Sequence, residues 1–130
     1  MSSFDQLIKT DDFKNEKHVP VIEVPAGAAA GQSMEIKVSV GKRISHPNNT
    51  AHHIVWLSLY FKRESGGPAY HLGRADFLAH GASTQGADSI ELFTEPSATF
   101  RVKLDQPGRL LAMSYCNIHG LWEGVAELKF

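Results

Sequence analysis

Apolar and polar residues alternate in twos along much of the chain. In "MEIKVSV", Met34, Ile36, Val38 and Val40 fall on one face and Glu35, Lys37 and Ser39 on the other, the period of a half-buried strand. "HVPVIEV", beginning at His18, reads as a strand before it. "IVWLSLYF" after it is apolar on both faces. "SIELF", "TFRVKL", "RLLAMSY" and "GVAELKF" bring the candidates to seven, and turn residues separate most of them, as in "PAGAAAG", "SHPNN" and "DQPG". Only residues 4–15, with apolar side chains at 4, 7 and 8, have helical spacing, enough for a short turn. The pattern predicts an all-β fold: a seven-stranded, immunoglobulin-like antiparallel β-sandwich with a short N-terminal helical segment. The glycine-rich segment 63–88 is longer than a hairpin loop, and loops of that length usually serve a function or an interface.

Composition adds bounds. With 130 residues, the expectation is a single domain, 1–130, large enough to bury a core. One cysteine cannot make an internal disulfide. A net charge of −1 lacks the basic excess of a nucleic-acid binder. The start, "MSSFDQLIKTDDFKNEKH", has neither a cationic head nor an apolar run, so no signal peptide is expected. No window approaches the roughly 20 apolar residues of a membrane span. A soluble, cytoplasmic protein that binds neither membrane nor nucleic acid is expected.

The unusual count is histidine: seven, at 18, 46, 52, 53, 71, 80 and 119. His18 starts a predicted strand, His46 and His52 flank "PNNTA", and Cys116 and His119 lie in a turn between the last two strands. His53 follows His52 directly, and neighbours on a strand point to opposite faces, so the two do not readily share a site. Six extended residues span roughly 20 Å, so His46 meets His52 only if the chain curls back, which Pro-Asn-Asn favours. A lone histidine is usually a surface or hydrogen-bonded side chain, and a lone cysteine a small buried hydrophobe. His71 and His80 are taken as such structural or surface residues. The conjunction of H-x5-H with C-x-x-H at strand ends is harder to dismiss.

Ligand chemistry separates the metals. Structural zinc prefers four ligands, typically with several thiolates, and fits one cysteine with many histidines poorly. Blue copper takes two histidines, a cysteine and a weak axial methionine. "YCNIHGLWEG" begins like such a loop, but no methionine follows His119; Met113 precedes the cysteine. Four imidazoles with one thiolate would suit iron. A copper electron carrier and a β-sandwich interaction module, with a structural metal or none, stand as alternative functions.

At these residues the sequence resembles the superoxide reductases, specifically the one-iron neelaredoxin type. The matching pieces are "EKHVPVIE", "SVGKRISHPNNTAHHI", "LGRADFLAHG" and "SYCNIHGLWE", spread from about residue 16 to the C-terminus. The resemblance implies a seven-stranded immunoglobulin-like sandwich holding one iron per chain, cycling between Fe2+ and Fe3+. It implies His18, His46, His52 and His119 as equatorial ligands and Cys116 as the axial thiolate. Glu16 would be the sixth ligand of the ferric resting state, and Lys17 the cation that attracts superoxide; read alone, both are ordinary surface charges. His53 is not carried over as a ligand. The implied activity is reduction of superoxide to hydrogen peroxide, with rubredoxin or a similar protein as electron donor and a homotetramer as the assembly. The two-iron desulfoferrodoxins add a four-cysteine iron domain, for which this chain lacks the cysteines. The backbone N–H groups of Asn117 and Ile118, in the cysteine turn, are candidates to hydrogen-bond the sulfur. Trp122 is expected beside the site.

Overall fold

The computed structural model describes residues 3–130. Among them lie one short helix, α1 (Phe4–Leu7), and seven strands: β1 (Val21–Glu23), β2 (Met34–Ser39), β3 (Ile54–Arg63), β4 (Ala69–Asp76), β5 (Ser97–Val102), β6 (Gly108–Cys116) and β7 (Gly120–Leu128). They form two antiparallel sheets, β1-β2-β5 and β4-β3-β6-β7, packed face to face as an immunoglobulin-like sandwich. No helix among the described residues is long and apolar enough to cross a membrane.

The core forms where the alternation places it. Ile36 and Val38 of β2 meet Leu57 and Leu59 of β3 and Leu110 of β6, all with no exposed surface. Burying such a side chain is worth roughly 1.5–3 kcal/mol, so the fold coheres without a crosslink. β3 is central, with β4 on one side and β6 on the other, which accounts for its apolar character on both faces. Ser39, expected on the polar face of β2, is instead buried. There the strand ends, the chain turns at Gly41 (φ 86°), and the next residue, Val40, donates its N–H to the Pro96 carbonyl across the strand end.

Two expected strands differ in the structure. "SIELF" is no strand: Leu92 is exposed, and the segment pairs only through an isolated bridge between His80 and Phe93. The seventh strand is β4, inside the glycine-rich 63–88 segment. β4 is an edge strand whose residues are mostly exposed, so no alternation marks it. Its glycine is a packing necessity, because a Cβ on Gly73 would lie 2.6 Å from the Phe100 ring of the facing sheet. The first strand also begins later than expected, at Val21, leaving His18 on an irregular lead-in ending at Pro20, which has no N–H to pair.

This lead-in is held against β7. A Cβ on Gly124 would sit 2.1 Å from the Pro20 carbonyl oxygen, a contact that neither backbone can absorb without moving. Gly124→Ala should therefore destabilise the protein by about 1–3 kcal/mol, the usual cost of overpacking, and displace residues 16–20. Urea unfolding monitored by Trp fluorescence measures this; a midpoint equal to the parent's would show that the close approach yields freely.

Candidate metal centre

Three pieces of chain meet at one end of the sandwich: the 16–20 lead-in, the 46–53 loop before β3, and the β6–β7 hairpin. The loop curls through Asn49. Its side-chain oxygen accepts the N–H groups of Ala51 (3.1 Å) and His52 (2.9 Å), and its own N–H donates to the His52 carbonyl at 3.1 Å. The rings of His46 and His52 are thereby brought to 4.8 Å. Cys116, the last residue of β6, is fully buried, with Ile54 opposite it on β3 and Gly120 on β7. β3 bulges between Ile54 and Trp56 at this point. His119 sits in the turn between the strands, and the buried Ser114 hydroxyl donates to the His18 carbonyl at 2.9 Å, tying the lead-in to β6.

Four imidazoles close a ring. Centroid separations are 4.7 Å for His18–His46, 4.8 Å for His46–His52, 5.0 Å for His52–His119 and 4.7 Å for His119–His18. The His18–His52 diagonal is 6.4 Å. A tetrahedral grouping would equalise the diagonal with the edges; the longer diagonal describes a four-cornered figure. The thiol lies against it, with His52 Nε2 at 3.2 Å and His119 Nδ1 at 3.7 Å from Cys116 Sγ. His18 Nε2 and His119 Nδ1 are 3.1 Å apart.

The donor atoms of His18, His52, Cys116 and His119 all lie within 4.8 Å of one another. His46 falls outside that mutual set, yet its ring completes the figure and its Nε2 is buried with no hydrogen-bond partner. An unsatisfied buried polar atom costs on the order of 1–3 kcal/mol. A metal at the centre of the ring would remove that cost, so the orphaned nitrogen fits a ligand role although the distances alone leave His46 apart.

The outer nitrogens decide which lone pair faces inward. His46 donates from Nδ1 to the Pro47 carbonyl (2.6 Å), and His18 donates to the Glu16 carboxylate from both Nδ1 (2.5 Å) and its backbone N–H (2.6 Å). Both rings therefore direct Nε2 to the centre, whereas His119 offers Nδ1. Burial pushes His46 down to about 4, reinforced by the nearby charges of His18, His52 and Lys17 against the opposing Pro47 contact. His18 and His52 are also lowered, chiefly by burial, and Lys17 makes protonating either one costlier. Burial would raise the Glu16 carboxyl, but the His18 N–H and imidazole hold it below the usual range. These imidazoles stay neutral, as metal ligation requires.

Around the ring, Trp122 of β7 stacks on His18 at 4.8 Å and 12°. The Lys9 ammonium lies 5.5 Å from the indole centroid. Lys9 gave no signal in the sequence; its place follows from backbone bonds to Leu121 and Glu123, which lay the N-terminal arm beside β7. The expectation for the cysteine turn needs correction. The Asn117 N–H is taken by the His53 carbonyl (3.2 Å), one step beyond the β3–β6 ladder, and the N–H reaching the sulfur belongs to His119 (3.4 Å). The Asn117 side chain instead joins turn to loop, accepting from His53 N–H and donating to the Ala51 carbonyl, both at 2.9 Å. His53 turns away from the ring onto His80, and His71 stacks on Tyr60.

The desulfoferrodoxin family model matches residues 10–125. The chain is 47% identical to a superoxide reductase of Pyrococcus furiosus over 95% of its own length and 98% of that protein's. It is 45% identical to neelaredoxin of Megalodesulfovibrio gigas over 90% of each chain. A superoxide reductase (neelaredoxin) from Archaeoglobus fulgidus, solved in the reduced form, superposes with a TM-score of 0.89 at 52% identity, covering 95% of this chain and 99% of that one. With this match running through the ring of imidazoles and its thiol, the chain belongs to the desulfoferrodoxin family, among its neelaredoxin-type superoxide reductases.

Proposed function

We propose that the chain is a superoxide reductase acting at one iron, which His18, His46, His52 and His119 would hold together with the Cys116 thiolate. The observation carrying this reading is the closed ring of four imidazoles set against a single buried thiol. Superoxide takes up one electron and two protons to become hydrogen peroxide. Iron bound there would supply that electron, passing from Fe2+ to Fe3+. The protons come from solvent, and rubredoxin or a similar donor restores the electron. The same reading takes residues 1–130 as one iron-binding domain, assembled as a cytoplasmic homotetramer.

The chain's own residues shape the chemistry. Cys116 offers a soft, anionic donor that raises electron density at the centre, as thiolates do in cysteine-ligated haem. Burial favours the neutral form of His18, His46 and His52, which would add donors without charge. Lys17 brings a positive charge close enough to oppose protonation of three histidines, and that field attracts a small anion. Glu16 holds Nδ1 of His18 here. Its second oxygen would be the donor available to an oxidised metal there, so the one carboxylate could both orient His18 and cap the centre. Trp122 limits water on the His18 side.

Cys116→Ser should abolish the visible thiolate-to-iron absorption and most superoxide reduction, since a hydroxyl is a poor soft donor; a variant that kept its colour would remove Cys116 from the axis. Acid should act on the histidines. Folded His46 titrates at about 4 against an ordinary 6.5, so between those values the unfolded chain binds more protons than the folded one. Stability of the metal-free protein is full above the ordinary value and is lost as pH falls through the folded one. Iron, competing with protons at five ligands, should leave cooperatively below roughly pH 6. Melting curves and iron analysis across pH 3–7 check both, and full iron retention at pH 3 would exclude four histidine ligands.

Lys17 and Glu16 separate by timing. Lys17→Ala should slow the second-order reaction of the reduced protein with superoxide by roughly tenfold, the loss shrinking as salt rises. Glu16→Ala should leave that rate nearly unchanged and shift the ferric absorption band. Pulse radiolysis at two ionic strengths distinguishes them: an unaltered rate in Lys17→Ala at low salt excludes steering, and an unaltered ferric spectrum in Glu16→Ala removes the carboxylate from the iron.

A further inference from the structure

The 46–53 loop supplies two of the proposed ligands, yet it belongs to no strand. The irregular 77–94 segment grips it from behind. Asn48 donates from Nδ2 to the Thr94 carbonyl (3.2 Å), and the Thr50 N–H donates to Asp88 Oδ1 (2.8 Å). The Thr50 hydroxyl lies within reach of both Asp88 Oδ1 (3.0 Å) and the His80 carbonyl (3.1 Å). The segment is tight within itself: a Cβ on Gly81 would stand 2.7 Å from the Phe93 ring and 2.8 Å from Asp88 Oδ1.

His80 sits at the centre of this grip. Its Nε2 is 2.7 Å from the Phe77 carbonyl and its Nδ1 is 3.2 Å from Asn48 Oδ1. The Phe77 carbonyl takes the one N–H of the neutral ring, and Thr94 holds the Asn48 amide with its oxygen toward His80, so Asn48 touches the ring without a second hydrogen bond. The ring of His80 lies flat on His53, with centroids 3.5 Å apart and planes within 6°. One partner is adjacent in sequence to His52; the other is two residues from His46. Both flanks of the ligand-bearing loop are thus registered against one imidazole that is itself outside the ring.

The geometry points to His80 as a positioning residue of the metal centre: stacked on His53, anchored to the Phe77 carbonyl and lying against Asn48, it sets the loop so that His46 and His52 converge. The inference rests on reading those two histidines as ligands. Groups that back metal ligands typically contribute 10–100-fold to metal affinity, and His80 acts one step further out, through the loop backbone.

The test uses iron-loaded parent, His80→Phe, Asn48→Ala and the double variant. His80→Phe keeps a ring to stack on His53 and removes the N–H that anchors it to the Phe77 carbonyl. Three readouts are compared: the rate at which excess chelator strips Fe2+, the energy of the thiolate-to-iron band, and the melting temperature without metal. Either single variant should lose iron roughly tenfold faster with a shifted band, and the double variant should be little worse than the singles, because the Phe77 anchor of His80 and the Thr94 anchor of Asn48 hold one loop position. Release rates and bands matching the parent's, whatever the melting temperatures, would reduce His80 to a fold staple and overturn the inference; so would effects that multiply in the double variant. Should His80→Phe not fold, Asn48→Ala carries the comparison from the other side. A parent without the band overturns the metal reading and this one together, whereas a parent with the band and unmoved variants overturns only this one.

Discussion

The proposed metal centre needs four imidazoles turned so that one nitrogen of each faces a common centre, three of them drawn partly out of water. The rest of the arrangement answers that requirement. A ring nitrogen faces inward reliably only if the other one is engaged, and here the Glu16 carboxylate and the Pro47 carbonyl do this for His18 and His46. Burial favours the neutral form at His18, His46 and His52, most strongly at His46. The same burial leaves His46 Nε2 with nothing to accept from, a cost the protein alone does not offset. A Lewis acid at the centre of the ring would offset it, which is what favours the metal reading.

The sandwich supplies rigidity on one side and access on the other. Cys116 is continuous with the hydrophobic core, packed with Ile54 and Leu57 and pinned between two strands of the larger sheet. His119, in the turn, is exposed, and His52 is half-buried. A fixed, buried sulfur floor and a rim open to solvent suit the proposed reading, in which a small anion enters while Cys116 stays dry. The close approach of Gly124 to Pro20 and the Ser114–His18 hydrogen bond couple the lead-in to that sheet, which places Glu16, Lys17 and His18 beside Cys116.

Legibility of the fold followed burial. β2, β3, β6 and β7 each present a side to the core, and their apolar periodicity marks them. β4 is an edge strand with little to bury, and its Gly73 and Arg74 resemble loop residues; its strand character comes from pairing with β3 and from the Phe100 ring occupying the space above the glycine. "SIELF" has strand-like composition but no partner beyond one bridge, and its leucine faces water.

The candidate ligands were legible because soft and imidazole donors are scarce and their spacing is local: C-x-x-H in one turn, H-x5-H around one Pro-Asn-Asn curl. Their family resemblance extended that to Glu16, Lys17 and the activity. Sequence alone thus determined the donor set that chemistry permits and the strand pattern that hydrophobic burial demands, since both depend on side-chain type and near neighbours. What the tertiary structure decided are the long-range relations: the order of the imidazoles around the ring, the carboxylate on His18, the indole stacked on it with Lys9 beyond, and the His80 grip on the ligand loop. These contacts join residues far apart in the chain, through backbone paths with no local signature, and only the closed sandwich brings them within reach.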